Sequence, residues 1–276
     1  MTKKLFFILI IILPIFSNTV YAQVGKLQND SLINYIDINN NKQGKWQKNY
    51  KNGKIRYKGQ FRNDIPYGIF YYYYETGKIK SILEYDDVGN CAAEIYYENG
   101  KTQATGYYNI AHNKIKTWNI YYEDASLAMT INYDNNGKPE GNYVLYYKGS
   151  KVKVLECTYQ NGKLNGSYKK FFKNSKLQEE GFCENGLRHG YWKFYTPEGF
   201  CDAEGKYVRG KRDGVWKIFD KDTQKLVTAD YKNGRSDYEE QKMQEWQDKY
   251  EWAKENQDKF KQPEDYFDNP EEFFKP

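Results

Sequence analysis

Short stretches in which aromatic and polar residues alternate recur along the chain, separated by turns that often contain glycine. In one stretch Trp192 and Phe194 flank Lys193, and in the next stretch of the same kind Trp216 takes the place of Trp192. Successive side chains of a β-strand point to opposite faces of the sheet, so a period of two predicts strands with one aromatic face. The pattern therefore predicts short strands rather than helices.

The same pattern opens eight units, and the step from one unit to the next is about 24 residues, a period typical of repeat proteins. In one degenerate unit the first inward position, which we call the anchor, is Ala93. In the other seven units the anchors are Trp46, Phe70, Trp118, Tyr143, Tyr168, Trp192 and Trp216. A second segment follows each anchor strand and ends in an aromatic residue; these residues are Phe61, Tyr85, Tyr108, Tyr133, Tyr159, Phe182, Tyr207 and Tyr231. Two alternating segments with turn signals every ~10–12 residues are typical of a β-hairpin.

A glycine stands two residues before most anchors, as Gly190 does before Trp192 and Gly214 before Trp216. Glycine at such a position either leaves room for a neighbouring ring or adopts a positive φ that other residues disfavour. The sequence leaves both explanations open.

The face opposite the anchors carries lysine and tyrosine. Exposed tyrosine is a favoured binding residue because its ring offers a large rigid area with a polar tip. We therefore predict a binding face formed by Tyr73, Tyr121, Tyr146, Lys169, Lys193, Tyr195 and Lys217. Two residues after the anchor, on the predicted buried face, Lys48 and Lys170 are exceptions to an otherwise largely apolar position.

The motif Tyr-x-x-Gly-x-x-x-Gly-x-Trp-x-x-Tyr, present here with small changes from Tyr207 to Phe219 and from Tyr159 to Phe171, resembles the MORN repeat in its bacterial variant. The resemblance spans about residues 35–235. It implies an all-β repeat fold, an elongated single-sheet antiparallel β-meander of about eight two-stranded MORN-type hairpins. It also implies a scaffold for protein–protein interaction, and an antitoxin-like family among bacterial variant proteins adds an antitoxin or immunity role as one form of it.

The first 22 residues have the character of a cleavable export signal. Lys3 and Lys4 precede an apolar run from Leu5 to Phe16, and small residues lead to Ala22. The apolar run is shorter than the ~20 residues that span a bilayer. We therefore predict cleavage after Ala22 and a periplasmic or extracellular location.

The remaining chain divides into four parts. Residues 23–36 are predicted to be an N-terminal leader, 37–235 the repeat array, 236–261 an amphipathic α-helix and 262–276 an acidic tail. The helix is predicted from apolar residues at spacings of three and four among charged ones. These residues are Met243, Trp246, Tyr250, Ala253 and Phe260.

Composition explains how such a polar chain folds. The 276 residues include 29 Tyr, 15 Phe and 6 Trp, yet the mean hydropathy is −0.97 and the net charge is +5. Disordered chains have few aromatic residues and a high net charge, so disorder is a poor explanation. Periodic aromatic anchors take the place of a thick aliphatic core, as expected for a repeat protein in which neighbouring units bury one another.

Four cysteines in an exported chain would ordinarily suggest disulfides. Cys157, Cys183 and Cys201 fall in second strands of different hairpins, which an intervening anchor strand separates by ~9–10 Å. A disulfide needs Cα atoms within ~7 Å. Cys91 has no neighbouring cysteine, so we predict four free, partly buried thiols.

Residues suited to catalysis or metal binding are scarce. The only histidines, His112 and His189, fall at turn positions of the repeat, and no Cys/His group has zinc-site spacing. Ser167 and Lys170 satisfy a loose Ser-x-x-Lys pattern, but Lys170 belongs to a strand of the repeat. We predict no catalytic residue, no metal, no cofactor and no enzymatic activity.

Charge is distributed unevenly, with a net +10 over residues 23–235 (34 basic, 24 acidic) and −7 over 236–276 (6 basic, 13 acidic). Only six basic residues are Arg, the residue favoured for phosphate and base recognition, so nucleic acid is not an expected partner. The leading hypothesis is a scaffold for an unknown protein partner. The alternative is binding to an anionic membrane surface or to a cell-surface polysaccharide.

Overall fold

A computed structural model describes residues 26–28 and 31–256. The predicted export signal, Phe260 and the predicted acidic tail lie outside the described residues. The chain forms two compact units, Met1–Gly100 and Lys101–Pro276, here called the N-terminal and C-terminal units.

The N-terminal unit is a meander of antiparallel strands. Its strands are β1 Lys26–Gln28, β2 Ser31–Ile33, β3 Tyr35–Ile36, β4 Lys42–Asn49, β5 Ile55–Arg62, β6 Ile65–Tyr73, β7 Ile79–Tyr85 and β8 Cys91–Tyr96. From β4 to β8 each strand pairs antiparallel with the next. The segment predicted as a leader contributes β1 to β3, and β3 pairs antiparallel with β4. This segment is thus part of the sheet.

The C-terminal unit continues the same construction and ends in one helix. Its elements are β9 Thr102–Tyr108, β10 Lys114–Tyr121, β11 Leu127–Tyr133, β12 Pro139–Tyr146, β13 Lys153–Gln160, β14 Lys163–Phe171, β15 Leu177–Glu184, β16 Leu187–Tyr195, β17 Cys201–Val208, β18 Lys211–Asp220, β19 Lys225–Tyr231 and α1 Asp237–Glu255. All consecutive strands from β9 to β19 pair antiparallel. The predicted β-hairpin meander is confirmed within each unit, and the predicted C-terminal helix is confirmed in the C-terminal unit.

Two-residue turns join β5 to β6, β13 to β14, β15 to β16 and β17 to β18, whereas five residues join β7 to β8, β9 to β10 and β11 to β12. Asn161 and Gly162 both have positive φ, 52° and 81°, as a type I′ turn requires. The Gly162 N–H donates a hydrogen bond to the Pro139 carbonyl at 2.9 Å, and the Gly210 N–H donates to the Arg188 carbonyl at 2.8 Å. Since these carbonyls belong to the previous hairpin, the turns are tied to one another from unit to unit.

The anchors form the core on one side of each sheet, here called the anchor face. Phe70, Trp118, Trp192 and Trp216 are at most 1% exposed, and Ala93 is 2% exposed. The remaining anchors, Trp46, Tyr143 and Tyr168, are half-buried. The aromatic rings therefore supply the buried apolar area that the scarce aliphatic residues do not.

Two sets of glycines serve the anchors in different ways. Gly205 lies in the strand before Trp216, and a Cβ placed on Gly205 would come within 2.3 Å of the Trp216 indole. Gly214 has φ +66°, and a Cβ there would meet nothing within 4 Å. The glycine two residues before the anchor is thus needed for its positive φ, and a separate glycine makes room for the ring. The unit of Trp118 lacks the first kind, and Lys116 takes the positive φ, 58°.

Tyrosine hydroxyl groups connect successive hairpins at the opposite end of the strands. Each donates a hydrogen bond to a backbone carbonyl in the next anchor strand. The pairs are Tyr50 with Tyr73 at 2.6 Å, Tyr74 with Tyr96 at 2.7 Å, Tyr122 with Tyr146 at 3.1 Å and Tyr147 with Phe171 at 2.9 Å. Because most of these carbonyls lie where the register with the following strand shifts, the hydroxyl groups satisfy acceptors that the sheet leaves available.

Replacing Tyr147 with Phe is expected to lower the free energy of unfolding by about 1 kcal/mol, since the ring is kept and only the hydrogen bond is lost. Thermal or urea unfolding followed by circular dichroism measures this loss. Tyr107→Phe is the control, because the Tyr107 ring is 42% exposed. Equal stability of the Y147F and Y107F variants would contradict a structural role for the hydroxyl ladder.

Helix α1 confirms the predicted helix, although its docking is polar. Ser236 caps it by accepting a hydrogen bond from the Glu239 N–H at 3.2 Å. The Tyr238 hydroxyl donates to Asp220 at 2.8 Å, and the Lys242 ammonium lies 3.1 Å from the same carboxylate. Hydrogen bonds from the Thr223 N–H, the Tyr238 hydroxyl and Lys242 hold the pKa of Asp220 well below its usual range. The first two turns therefore attach the helix to the last hairpin.

The apolar stripe that predicted the helix is not buried. Met243, Trp246 and Tyr250 are 58%, 61% and 55% exposed, and the rings of Trp246 and Tyr250 stack at 5.6 Å. An amphipathic helix usually buries its apolar stripe, but here the polar residues of the first two turns make the contact with the last hairpin. No helix among residues 26–28 and 31–256 has both the length and the apolarity to cross a bilayer.

Candidate interaction surfaces

The face opposite the anchors, here called the outer face, carries a ladder of alternating charges in the C-terminal unit. The cross-strand register places in one row Glu156, Lys169, Glu180, Lys193, Glu204 and Lys217. The ammonium groups of Lys217 and Lys193 lie 3.2 and 3.7 Å from the Glu204 carboxylate. The predicted lysine row is thus interleaved with glutamates from the second strands and has no net charge.

The sequence contains a signal for these glutamates. Glu156, Glu180 and Glu204 recur once in each successive unit, each directly before an inward residue of the second strand. The pattern of the anchor strands alone does not reveal these glutamates as neighbours of the lysines, because cross-strand neighbours depend on the register between strands.

The four tyrosines of the predicted binding face are less accessible than expected. Tyr73, Tyr121, Tyr146 and Tyr195 are all half-buried. Each directly follows a register shift with the second strand of its hairpin, which interrupts the strict alternation of faces. The expectation that they stand fully outward is therefore corrected.

Two of these tyrosines line cavities, and a third is held by a neighbour. Tyr73 lines a cavity of about 350 Å³ in the N-terminal unit. Tyr146 lines one of about 710 Å³ in the C-terminal unit, together with Leu127 and Lys153. The Tyr195 hydroxyl donates to Glu180 at 2.8 Å, and desolvation together with this bond raises the pKa of Tyr195 above its ordinary value.

A different set of apolar side chains is exposed on the outer face. Phe182, Tyr191 and Val215, here called the outer patch, lie on β15, β16 and β18 and are 47%, 54% and 65% exposed. Phe182 is one of the aromatic residues that end the second strands, yet it does not lie on the anchor face. Instead Cys183, one residue later, takes the inward position and is 4% exposed.

The four cysteines differ in burial. Cys91, Cys157 and Cys183 are buried and Cys201 is exposed, and all four are free thiols. Burial, with a smaller effect of Cys183, raises the pKa of Cys157 to about 11. Because the thiolate is the reactive form, the buried thiols are expected to be inert in the folded chain.

With a thiol-specific reagent at neutral pH we expect one thiol, Cys201, to react in the folded protein and all four to react in denaturant. Cys201→Ser should remove the fast reaction and leave three slow thiols. Fewer than four reactive thiols in the denatured, unreduced protein would contradict the prediction that the chain has no disulfide.

Neither histidine belongs to a cluster suited to metal binding. His112 is a turn residue with φ 61°. His189 lies on β16, with its Nδ1 atom 3.4 Å from the Glu184 carboxylate. Within the part of the chain that the structure describes, no three His, Cys, Asp or Glu side chains are grouped to hold a metal ion.

Fold and repeat geometry define a class of protein, a hairpin-repeat array with one anchor position per hairpin. The model of the MORN repeat variant matches residues 42–63, 66–87 and 92–109. The first two matches coincide with the hairpins β4–β5 and β6–β7. Residues 42–109 thus resemble repeats of the MORN variant, as the sequence motif predicted, and MORN repeats generally serve as non-catalytic binding scaffolds.

No curated protein matches the chain. Among solved structures, a crystal structure of a protein of unknown function from Bacteroides fragilis aligns with 8% identity over 67% of this chain and 88% of that one. The TM-score of this alignment is 0.10.

Proposed function

We propose that the protein is an exported, non-enzymatic scaffold that binds a protein partner through the outer face of its C-terminal unit. The observation that carries this proposal is the outer patch beside the neutral charge ladder. Three exposed apolar or aromatic side chains on β15, β16 and β18 are bordered by paired Lys and Glu.

This combination suits a protein surface. Protein interfaces have an apolar, often aromatic centre that is depleted in charge, and a polar rim. Phe182 and Tyr191 supply rigid ring area at the centre, while Lys193, Glu204 and Lys217 can form the rim. The predicted lysines therefore stay in the proposal as rim residues, whereas the outer patch supplies the apolar contact.

Export and an antitoxin or immunity role belong to the same proposal. The residues that support export are the basic start, the apolar run and Ala22. The antitoxin role has its support in the family resemblance alone. An adjacent reading frame encoding a toxin would favour it, and inhibition of that toxin by the purified scaffold is the direct measurement.

The alternative is adsorption of the cationic array to an anionic membrane or a cell-surface polysaccharide. On the outer face of the C-terminal unit it has less support, because each of the three ladder lysines faces glutamate. Co-sedimentation with phosphatidylserine vesicles separates the two proposals. Binding at low salt that disappears at high salt would favour adsorption, since a screening length of ~10 Å at 0.1 M salt weakens surface charge.

The proposed function is tested by partner capture with charge-introducing variants. Phe182→Arg with Val215→Arg should abolish recovery of a partner that the wild-type protein captures from the native envelope fraction. The matched control is Phe200→Arg with Val88→Arg, which changes the same residue types at exposed turn positions, 72% and 61% accessible. Undiminished capture by the F182R/V215R variant would overturn the assignment of the face.

A further inference from the structure

The N-terminal unit contains a groove that combines cations with aromatic rings. Its volume is about 350 Å³. Its lining residues are Lys48, Tyr50, Arg56, Tyr57, Tyr72, Tyr73, Lys80 and Ser81. No carboxylate is among them, so the lining offers hydrogen-bond donors and positive charge.

Strand register builds this groove in two steps. Lys48, Tyr57, Tyr72 and Ser81 are direct neighbours in one row across β4 to β7. Arg56 is the residue that β5 leaves unpaired at its register shift with β4, and Lys80 is the equivalent residue of β7 against β6. These two extra residues add cations beside the row.

The three cations are available to a ligand. In the part of the chain that the structure describes, none of Lys48, Arg56 and Lys80 has a carboxylate within ion-pair distance. By contrast, Lys170, at the position equivalent to Lys48 in the C-terminal unit, is directly opposite the buried Glu179. The unexpected lysine on the anchor face therefore lies opposite a glutamate in the C-terminal unit and opposite Tyr57 in the N-terminal unit.

Repeat geometry alone does not require these cations. At the unpaired position of the second strands in the C-terminal unit, the residues equivalent to Arg56 and Lys80 are Ala128, Val154, Gln178 and Asp202. Most residues equivalent to Lys48 are apolar. The cluster of three cations and four tyrosines is therefore specific to the sequence of the N-terminal unit and is not a general feature of the repeat.

We propose that this groove binds an acidic, aromatic-containing peptide segment of a partner protein. Carboxylates would pair with Lys48, Arg56 and Lys80, and an aromatic side chain would pack against the rings of Tyr57 and Tyr72, whose centroids are 5.7 Å apart. A free phosphate or a lipid headgroup brings no apolar group for these rings. The inference rests on the proposed scaffold function and names the chemistry that one of its surfaces recognises.

The test is a fluorescence-anisotropy titration of the full mature chain with a labelled peptide of alternating Glu and Phe. The groove variant is K48Q/R56Q/K80Q. The matched control is K45Q/K58Q/R62Q, which removes two Lys and one Arg from the outer face of the same unit. Exposed ion pairs contribute modestly each, so loss of all three cations should weaken peptide binding roughly tenfold, with no change in the control variant.

Two further peptides and one vesicle define the ligand. Replacing Glu by Gln should abolish binding, and replacing Phe by Ala should weaken it. Equal loss in the groove and control variants would overturn the proposal in favour of non-specific charge attraction. Groove-dependent binding of phosphatidylserine vesicles that displaces the peptide would overturn it in favour of an anionic headgroup.

No peptide binding at low salt would also overturn the proposal. The outer-patch variants do not alter the groove, so the peptide titration measures binding by the groove alone. Partner capture by the F182R/V215R variant, by contrast, measures binding by the outer face. Failure of the groove inference and failure of the proposed function are thus separately visible.

Discussion

Replacing Gly205 with Ala is expected to destabilise the C-terminal unit by about 3 kcal/mol, at the upper end of what overpacking costs in a core. The added Cβ would lie 2.3 Å from the Trp216 indole, which is fully buried and donates its Nε1–H to the Lys206 carbonyl at 3.1 Å. Because packing and a hydrogen bond both hold the Trp216 ring in place, moving it away from the added methyl group would cost free energy. Urea unfolding followed by circular dichroism measures the effect.

The second kind of glycine provides the comparison. Gly214→Ala meets nothing within 4 Å, and its cost is only that of a positive φ, about 1–2 kcal/mol. Equal stability of the G205A and G214A variants would contradict the explanation that Gly205 is needed because the Trp216 ring lies against its backbone.

A double variant tests the mechanism of the Gly205→Ala effect. Two hairpins earlier, Cys157 occupies the position equivalent to Gly205, and the anchor opposite it is the smaller Tyr168. A side chain larger than glycine is thus compatible with tyrosine as the anchor. The G205A/W216Y double variant should therefore be more stable than the sum of the two single changes predicts, by about 1–3 kcal/mol. Strict additivity would contradict a steric origin.

Replacing Trp192 with Ala is expected to cost about 3–5 kcal/mol, the range for removing a large buried aromatic side chain. Trp192 is 1% exposed, donates its Nε1–H to the Phe182 carbonyl at 3.0 Å, and packs under the Arg188 guanidinium at 4.5 Å. Its loss leaves a cavity in the centre of the anchor face. Because repeat arrays are stabilised by nearest neighbours, amide exchange should rise first in β14 to β18.

Trp246→Ala is the matched control for Trp192→Ala, since each removes one tryptophan. Trp246 is 61% exposed on α1, and its loss should change the free energy of unfolding by no more than about 0.5 kcal/mol. Unfolding is followed by circular dichroism, because each variant lacks one tryptophan and its fluorescence therefore differs from that of the wild-type protein. Comparable destabilisation by the two substitutions would contradict the anchor role of Trp192.

The strands and anchors could be predicted from the sequence because alternation is a local property. A period of two places Trp192 and Phe194 on one face whatever the neighbouring strand contains. Repetition of that pattern from unit to unit then predicts the hairpins and the family. The helix follows in the same way from its spacing of apolar residues.

The surfaces could be predicted only in part. Lys193 was correctly assigned to the face opposite the anchors, but its neighbour Glu204 comes from another strand. Which residues meet across strands depends on turn length and on register shifts, and these shifts also withdraw Tyr195 from full exposure. The groove beside Lys48 follows from the same shifts, which leave Arg56 and Lys80 unpaired.

By itself, the sequence determined the strands, the repeat, the aromatic anchors and the C-terminal helix, because each is encoded in the spacing of residues along one segment. Tertiary structure decided what those elements present. It paired Glu with Lys on the outer face, turned Phe182 outward in exchange for Cys183, left the stripe of Met243 exposed and gathered three cations in one groove. These outcomes depend on contacts between segments, and cross-strand register, which no single segment encodes, decides which side chains meet.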